Sequence, residues 1–116
     1  MQAQNLMPNS PDVSFPVGTR LLFENDQVRV WDLSLAPGET LPLHQHELDY
    51  LYVVIGGGKL QTGYPDGAAD PPREMRDGDV RFRAVTSPEG AQRAVHSATN
   101  VGDTPWRNIV VELKRG

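Results

Sequence analysis

The stretch Gly38-Glu39-Thr40-Leu41-Pro42-Leu43-His44-Gln45-His46-Glu47-Leu48-Asp49-Tyr50, continuing through Leu51-Tyr52-Val53-Val54-Ile55 into Gly56-Gly57-Gly58, decides how the rest of the chain is read. Residues 40–46 alternate as a strand does, with Leu41 and Leu43 on one face and Thr40, Pro42, His44 and His46 on the other. Residues 50–55 form a short β-rich run closed by the three glycines. Two histidines at i and i+2 on a strand share a face, about 6–7 Å apart along the chain. At that separation two imidazoles can converge on one ion with N–metal bonds of about 2.0–2.1 Å. The third histidine, His96, lies on another predicted β segment. Three neutral imidazoles meeting inside a barrel would hold a divalent transition metal and leave positions open for water or substrate. Taken alone, His44-x-His46 also fits a solvent-facing pair on an edge strand.

Working outward, the pattern stays β. Residues 20–24 carry Leu21, Leu22 and Phe23. Residues 27–35 alternate first as Val28 and Val30, then as Trp31, Leu33 and Leu35, so this strand is either bulged or buried on both sides. Further strands are expected at 59–62, 80–85, 91–99 and 106–113, separated by Ala36-Pro37-Gly38, Tyr64-Pro65-Asp66-Gly67, Asp77-Gly78 and Gly102-Asp103-Thr104-Pro105. No apolar stripe at helical spacing runs for three turns. Many short strands at regular spacing predict an all-β sandwich or barrel, and a jelly roll matches the size. Residues 1–14 read as a tail or arm without the basic and apolar regions of a secretory signal. Residues 15–116 read as one domain, since 116 residues cannot divide into two cores.

Composition excludes several function classes. The net charge is −4 and the pI is near 5.2, which argues against non-specific nucleic-acid binding. No run of about 18 apolar residues is present, so no membrane span is expected and the cytoplasm is the expected location. The chain contains no cysteine, which removes disulfides, thiolate metal sites and cysteine nucleophiles. Any metal must therefore be held by histidine, carboxylate, tyrosine or water. Gly56-Gly57-Gly58 is not a phosphate loop, because no following helix or Lys-Ser/Thr pair accompanies it. Serine–histidine catalysis lacks its G-x-S-x-G elbow.

Taken together, Gly38, five residues, His44-x-His46, three residues, Tyr50, six residues and Gly57 resemble cupin motif 1, G-x5-H-x-H-x3,4-E-x6-G. Every spacing fits; Tyr50 stands where the usual cupin has Glu. Pro88-x-Gly90 and His96-x3-Asn100 match parts of cupin motif 2, G-x5-P-x-G-x2-H-x3-N. Here nine residues separate Gly78 from Pro88 and five separate Gly90 from His96, so the motif is stretched. The resemblance covers roughly residues 18–113. It implies a cupin-type double-stranded β-helix (a jelly-roll barrel), a homodimer, and a metal in the barrel mouth on His44, His46 and His96, with Tyr50 in the carboxylate position.

Replacing Glu by Tyr changes the electrostatics. A divalent ion on three neutral imidazoles keeps its full charge and should attract an anionic or bidentate substrate. Tyr50 could ligate as phenolate, bond to a metal-bound water, or line the cavity; its ordinary pKa near 10 makes the first costly. Asp49 could ligate only if the strand register slips by one. Tyr52 should share the face of Tyr50 and line the cavity, while Asn100 could bond near His96 or hold the following turn. Arg81 and Arg83 alternate with Val80 and Phe82 on one face and could grip a substrate anion; Arg93 is a further candidate near His96. Trp31 and Trp106 read as core or interface aromatics. The expected function is metal-dependent chemistry on a small anionic molecule, dioxygenase- or isomerase-like, with one divalent ion (Fe, Mn, Ni or Zn). The alternative is a non-catalytic ligand-binding or sensor module.

Overall fold

The computed structural model describes residues 16–85 and 87–114; the expected tail at 1–14 lies outside them. In chain order the elements are β1 (Arg20–Glu24), β2 (Val28–Leu35), β3 (Thr40–Gln45), β4 (Asp49–Gly56), β5 (Gly58–Gly63), β6 (Arg73–Met75), β7 (Val80–Arg83), a helical turn α1 (Pro88–Gln92), β8 (Val95–Asn100) and β9 (Trp106–Leu113). The strands form two antiparallel sheets, ordered β1-β2-β9-β4-β7 and β3-β8-β5-β6. Every connection except β1–β2 and β5–β6 carries the chain from one sheet to the other, which is the jelly-roll expectation of an all-β domain.

Alternation explains most of the core. On β9, Trp106, Asn108, Val110 and Glu112 are buried, while Arg107 is exposed. On β2, Leu33 and Leu35 face inward, and Val28 and Val30 are half-buried on the other face. The β2–β9 pairing runs without a shift from Val28 to Leu35. The phase change in this sequence is thus a strand with apolar residues on both faces, not a bulge. One core cluster gathers Leu33, Leu35, Leu41, Val54, Met75, Ala98 and Trp106. A second gathers Val17, Tyr50 and Val110. Burying each such large apolar side chain contributes about 1.5–3 kcal/mol.

Two local features depart from the sequence reading. On β3, Leu41 and His44 are both buried, although strict alternation puts them on opposite faces. The β3–β8 register shifts between these residues. Pro42, with no N–H to give to a ladder, lies inside that shift. The extra residue of the bulge returns the histidines to the inner face. The second departure is the expected strand at 91–99. Its first part belongs to α1, capped by Ser87, whose hydroxyl accepts from the Gly90 N–H at 3.0 Å. Pro88 follows the cap in the first turn, where its missing N–H costs nothing. A Cβ on Gly90 would collide with the Ala84 carbonyl, so glycine lets the turn sit directly on the end of β7. The extra residues between Gly90 and His96 are spent on this turn and its exit.

Candidate metal centre

His44 and His96 stand directly opposite each other in the β3–β8 ladder, and His46 follows two residues on. The three rings form a near-equilateral triangle, with centroid separations of 4.9, 4.7 and 4.8 Å. One nitrogen from each ring lies within 4.8 Å of the others. The Nε2 atoms of His46 and His96 are 3.1 Å apart. Two nitrogen ligands of one ion, each bonded at about 2.0–2.1 Å, lie roughly 3–3.4 Å apart, so this spacing suits a shared metal.

The tautomers point the same way. Nδ1–H of His44 donates to the Pro42 carbonyl at 2.8 Å, and Nδ1–H of His96 donates to the Arg93 carbonyl at 2.8 Å. Both rings therefore present an Nε2 lone pair to the centre, the arrangement in which backbone carbonyls orient metal-binding imidazoles. His46 has no such carbonyl. Its Nδ1 is buried and has no hydrogen-bond partner among the described residues; the ring is held instead by stacking on Tyr50 and by its Nε2 facing that of His96. Burial, then repulsion from His96 and His44, lowers the His46 pKa to about 2. Burial, then His44, lowers that of His96 to about 4; burial also lowers His44. All three are neutral at physiological pH, the form that ligates. The donor set and its geometry fit a divalent transition ion.

The cluster opens into a cavity of about 100 Å³ between the sheets. Tyr50 stacks on His46 with ring centroids 3.9 Å apart and planes 13° apart. Burial raises its hydroxyl pKa above the usual tyrosine range, so its own environment disfavours phenolate. Tyr52 also lines the cavity, its hydroxyl 3.6 Å from the Met75 sulfur. Asp49 is turned elsewhere: its Oδ1 accepts from the Val85 N–H at 2.9 Å. Asn100 is fully buried and outside the cavity lining. Its amide donates to the carbonyls of Leu35 and Thr104, and its oxygen accepts from Gly102 N–H, which holds the β8–β9 turn. Arg83 borders the cavity, whereas Arg81 is exposed and does not. No carboxylate lies within ion-pair distance of Arg83 among the described residues, and its charge acts on Tyr50, Tyr64 and His96.

Several wall residues carried no signal in the sequence. Tyr64 and Asp70, from the β5–β6 connection, meet Arg93 at the rim. The Arg93 Nη1 donates to the Tyr64 hydroxyl at 2.7 Å and to Asp70 Oδ2 at 2.8 Å, and the Tyr64 hydroxyl donates to the same oxygen at 2.7 Å. Arg73 lies on the same wall. Glu112, directly opposite Tyr50 on β9, is a second missed group. It is 2% exposed and accepts at Oε1 from Arg29 Nε and Trp31 Nε1, each at 2.7 Å. No periodicity distinguishes these side chains from ordinary loop or strand polar residues.

No protein-family model matches the chain, and no curated protein matches it. Solved structures do. A cupin domain from Bordetella pertussis Tohama I aligns at 22% identity over 91% of this chain and 100% of its own, with a TM-score of 0.69. An RmlC-like cupin family protein with a double-stranded β-helix fold from Methanocaldococcus jannaschii aligns at 14% identity over 98% and 91%, with a TM-score of 0.60. A DMSP lyase from Ruegeria pomeroyi DSS-3 aligns at 21% identity over 77% of this chain and 39% of its own, with a TM-score of 0.53. At these identities the likeness shows the fold, which is the cupin-type double-stranded β-helix expected above. No helix among the described residues is long and apolar enough to cross a membrane.

Proposed function

We propose that this cupin-fold chain is a metal-dependent enzyme acting on a small anionic molecule in the barrel mouth. The observation that carries the reading is the convergence of His44, His46 and His96, all neutral, with two tautomers fixed by backbone carbonyls. An ion held there would act as a Lewis acid and make bound water more acidic. Tyr50, stacked on His46, orients that ring and walls one side of the site. Arg83 supplies positive charge facing the histidines and would hold a substrate carboxylate or phosphate bidentately. The charge left by three neutral ligands favours the same anion. One fold neighbour is named a lyase, so the fold is compatible with catalysis, although fold by itself does not assign a reaction. The reaction class we favour is dioxygenase- or isomerase-like.

The homodimer is part of this proposal. Leu21, Leu22 and Phe23 are 45%, 41% and 53% exposed on the edge strand β1, the kind of apolar surface a second copy would cover.

The test is to load the purified protein with Fe(II), Mn(II), Ni(II) or Zn(II) and titrate it with small carboxylates and phosphates. Oxygen uptake and NMR of the mixture separate oxygenase from isomerase turnover. Binding that needs both metal and Arg83, followed by turnover, is the expected result. A loaded protein that binds no small anion contradicts the proposal.

A further inference from the structure

We propose that Tyr64 and Asp70 are positioning residues for His96, acting through Arg93; this rests on the metal reading above. Arg93 plays two parts with two different groups. Its carbonyl accepts the His96 Nδ1–H at 2.8 Å, and its guanidinium is held by Tyr64 and Asp70 at 2.7 and 2.8 Å. The guanidinium also lies over the Tyr64 ring, 5.8 Å from its centroid. The next carbonyl, that of Ala94, accepts the His46 backbone N–H at 2.8 Å. Two successive carbonyls therefore hold the ring of one ligand and the backbone of another.

This joint is the C-terminal end of a five-residue helix, with Arg93 as its cap. A helix of one turn has no stability of its own, so outside contacts must fix where it ends. At the N-terminal side Ser87 and the close approach of Gly90 to Ala84 provide them. At the C-terminal side, the Arg93 side chain reaches across the cavity rim to the β5–β6 connection. Releasing it frees the Arg93 carbonyl to drift, and with it the orientation and tautomer of His96. The pair Arg93–Asp70 is 51% and 30% exposed, so its loss should change global stability little while loosening the ligand locally.

The experiment compares wild type, Arg93→Ala and Asp70→Ala. Arg93→Ala keeps the carbonyl and removes the guanidinium that Tyr64 and Asp70 hold. Zn(II) affinity is measured by chelator competition, and the His96 tautomer by 15N NMR of the imidazoles in the metal-free protein. Both variants should bind Zn(II) about tenfold more weakly and show mixed His96 tautomers, with circular dichroism unchanged. Wild-type affinity together with a single Nδ1–H tautomer in both variants overturns the proposal. If wild type itself takes up no Zn(II), the metal reading fails instead. The tautomer comparison then decides the positioning role alone: mixing in the variants supports it, and an unaltered tautomer overturns it.

Discussion

The Nδ1 of His44 lies 2.8 Å from the carbonyl oxygen of Pro42, two residues earlier on the same strand. The bulge that contains Pro42 thereby does two things. It turns His44 onto the inner face beside Leu41, and it offers a carbonyl that fixes which ring nitrogen carries the proton. For His96, on the opposite strand, the carbonyl of Arg93 at the end of α1 does the same. Neither histidine needs a carboxylate neighbour to be held in its neutral Nδ1–H form.

Stability of the metal-free protein should fall as the pH drops below neutral. In the fold, burial first and neighbouring histidines second depress His46 to about 2 and His96 to about 4. In the unfolded chain they titrate near 6.5. Between those values the unfolded state binds more protons, so stability is intact above about pH 6.5 and is lost as pH falls toward the folded values. The urea midpoint of metal-free protein should decline steadily from pH 7 to pH 4.5, and less steeply in His96→Gln. A flat midpoint over that window would contradict the neutral buried cluster.

Glu112→Ala should destabilise the fold by about 2–3 kcal/mol in urea unfolding. It strips a hydrogen-bonded acceptor from both Arg29 and Trp31 in a nearly dry position. Glu112→Gln, which keeps the shape and one acceptor, should cost less. Equal, negligible losses would show that water replaces the carboxylate freely.

Gly57→Ala should also destabilise, by about 1–3 kcal/mol. A Cβ there would strike the Met75 carbonyl and the Arg76 backbone, neither of which can swing away. Gly38→Ala meets open space but has φ 86°, so its smaller cost is conformational. A thermal melt that ranks Gly38→Ala as the more damaging would contradict this packing.

Arg83 and Arg81 should separate in anion binding. For the metal-loaded protein, Arg83→Gln should weaken malonate binding about tenfold, the scale of a lost charged hydrogen bond. Arg81→Gln should change it little, because Arg81 does not border the cavity. Calorimetry giving equal affinities for both variants would remove Arg83 from the substrate's path.

Much of this was legible in the sequence. The strands at 20–24 and 106–113 fall where the alternation puts them, and the His44-x-His46 spacing with His96 identifies the cluster. The sharing of a face by Tyr50 and Tyr52 also follows from period two. What stayed hidden depends on register and on chain reversal. The bulge at Pro42 breaks the period that the alternation relies on. The turn 88–92 is too short to carry a helical stripe. Asp70, Tyr64 and Arg93 meet only because a loop and a helix end close over one rim, and Glu112 finds Arg29 and Trp31 only through the β2–β9 pairing. Arg81 and Arg83 read as equivalents by alternation, yet only Arg83 borders the cavity.

The most direct test of the central claim is the metal content of untagged protein prepared without chelator, beside His44→Ala. The account predicts about one equivalent of a divalent transition metal per chain in wild type, lost in the variant. No metal in wild type, and none taken up from added Fe(II), Mn(II), Ni(II) or Zn(II), would contradict it and leave a ligand-binding module in its place.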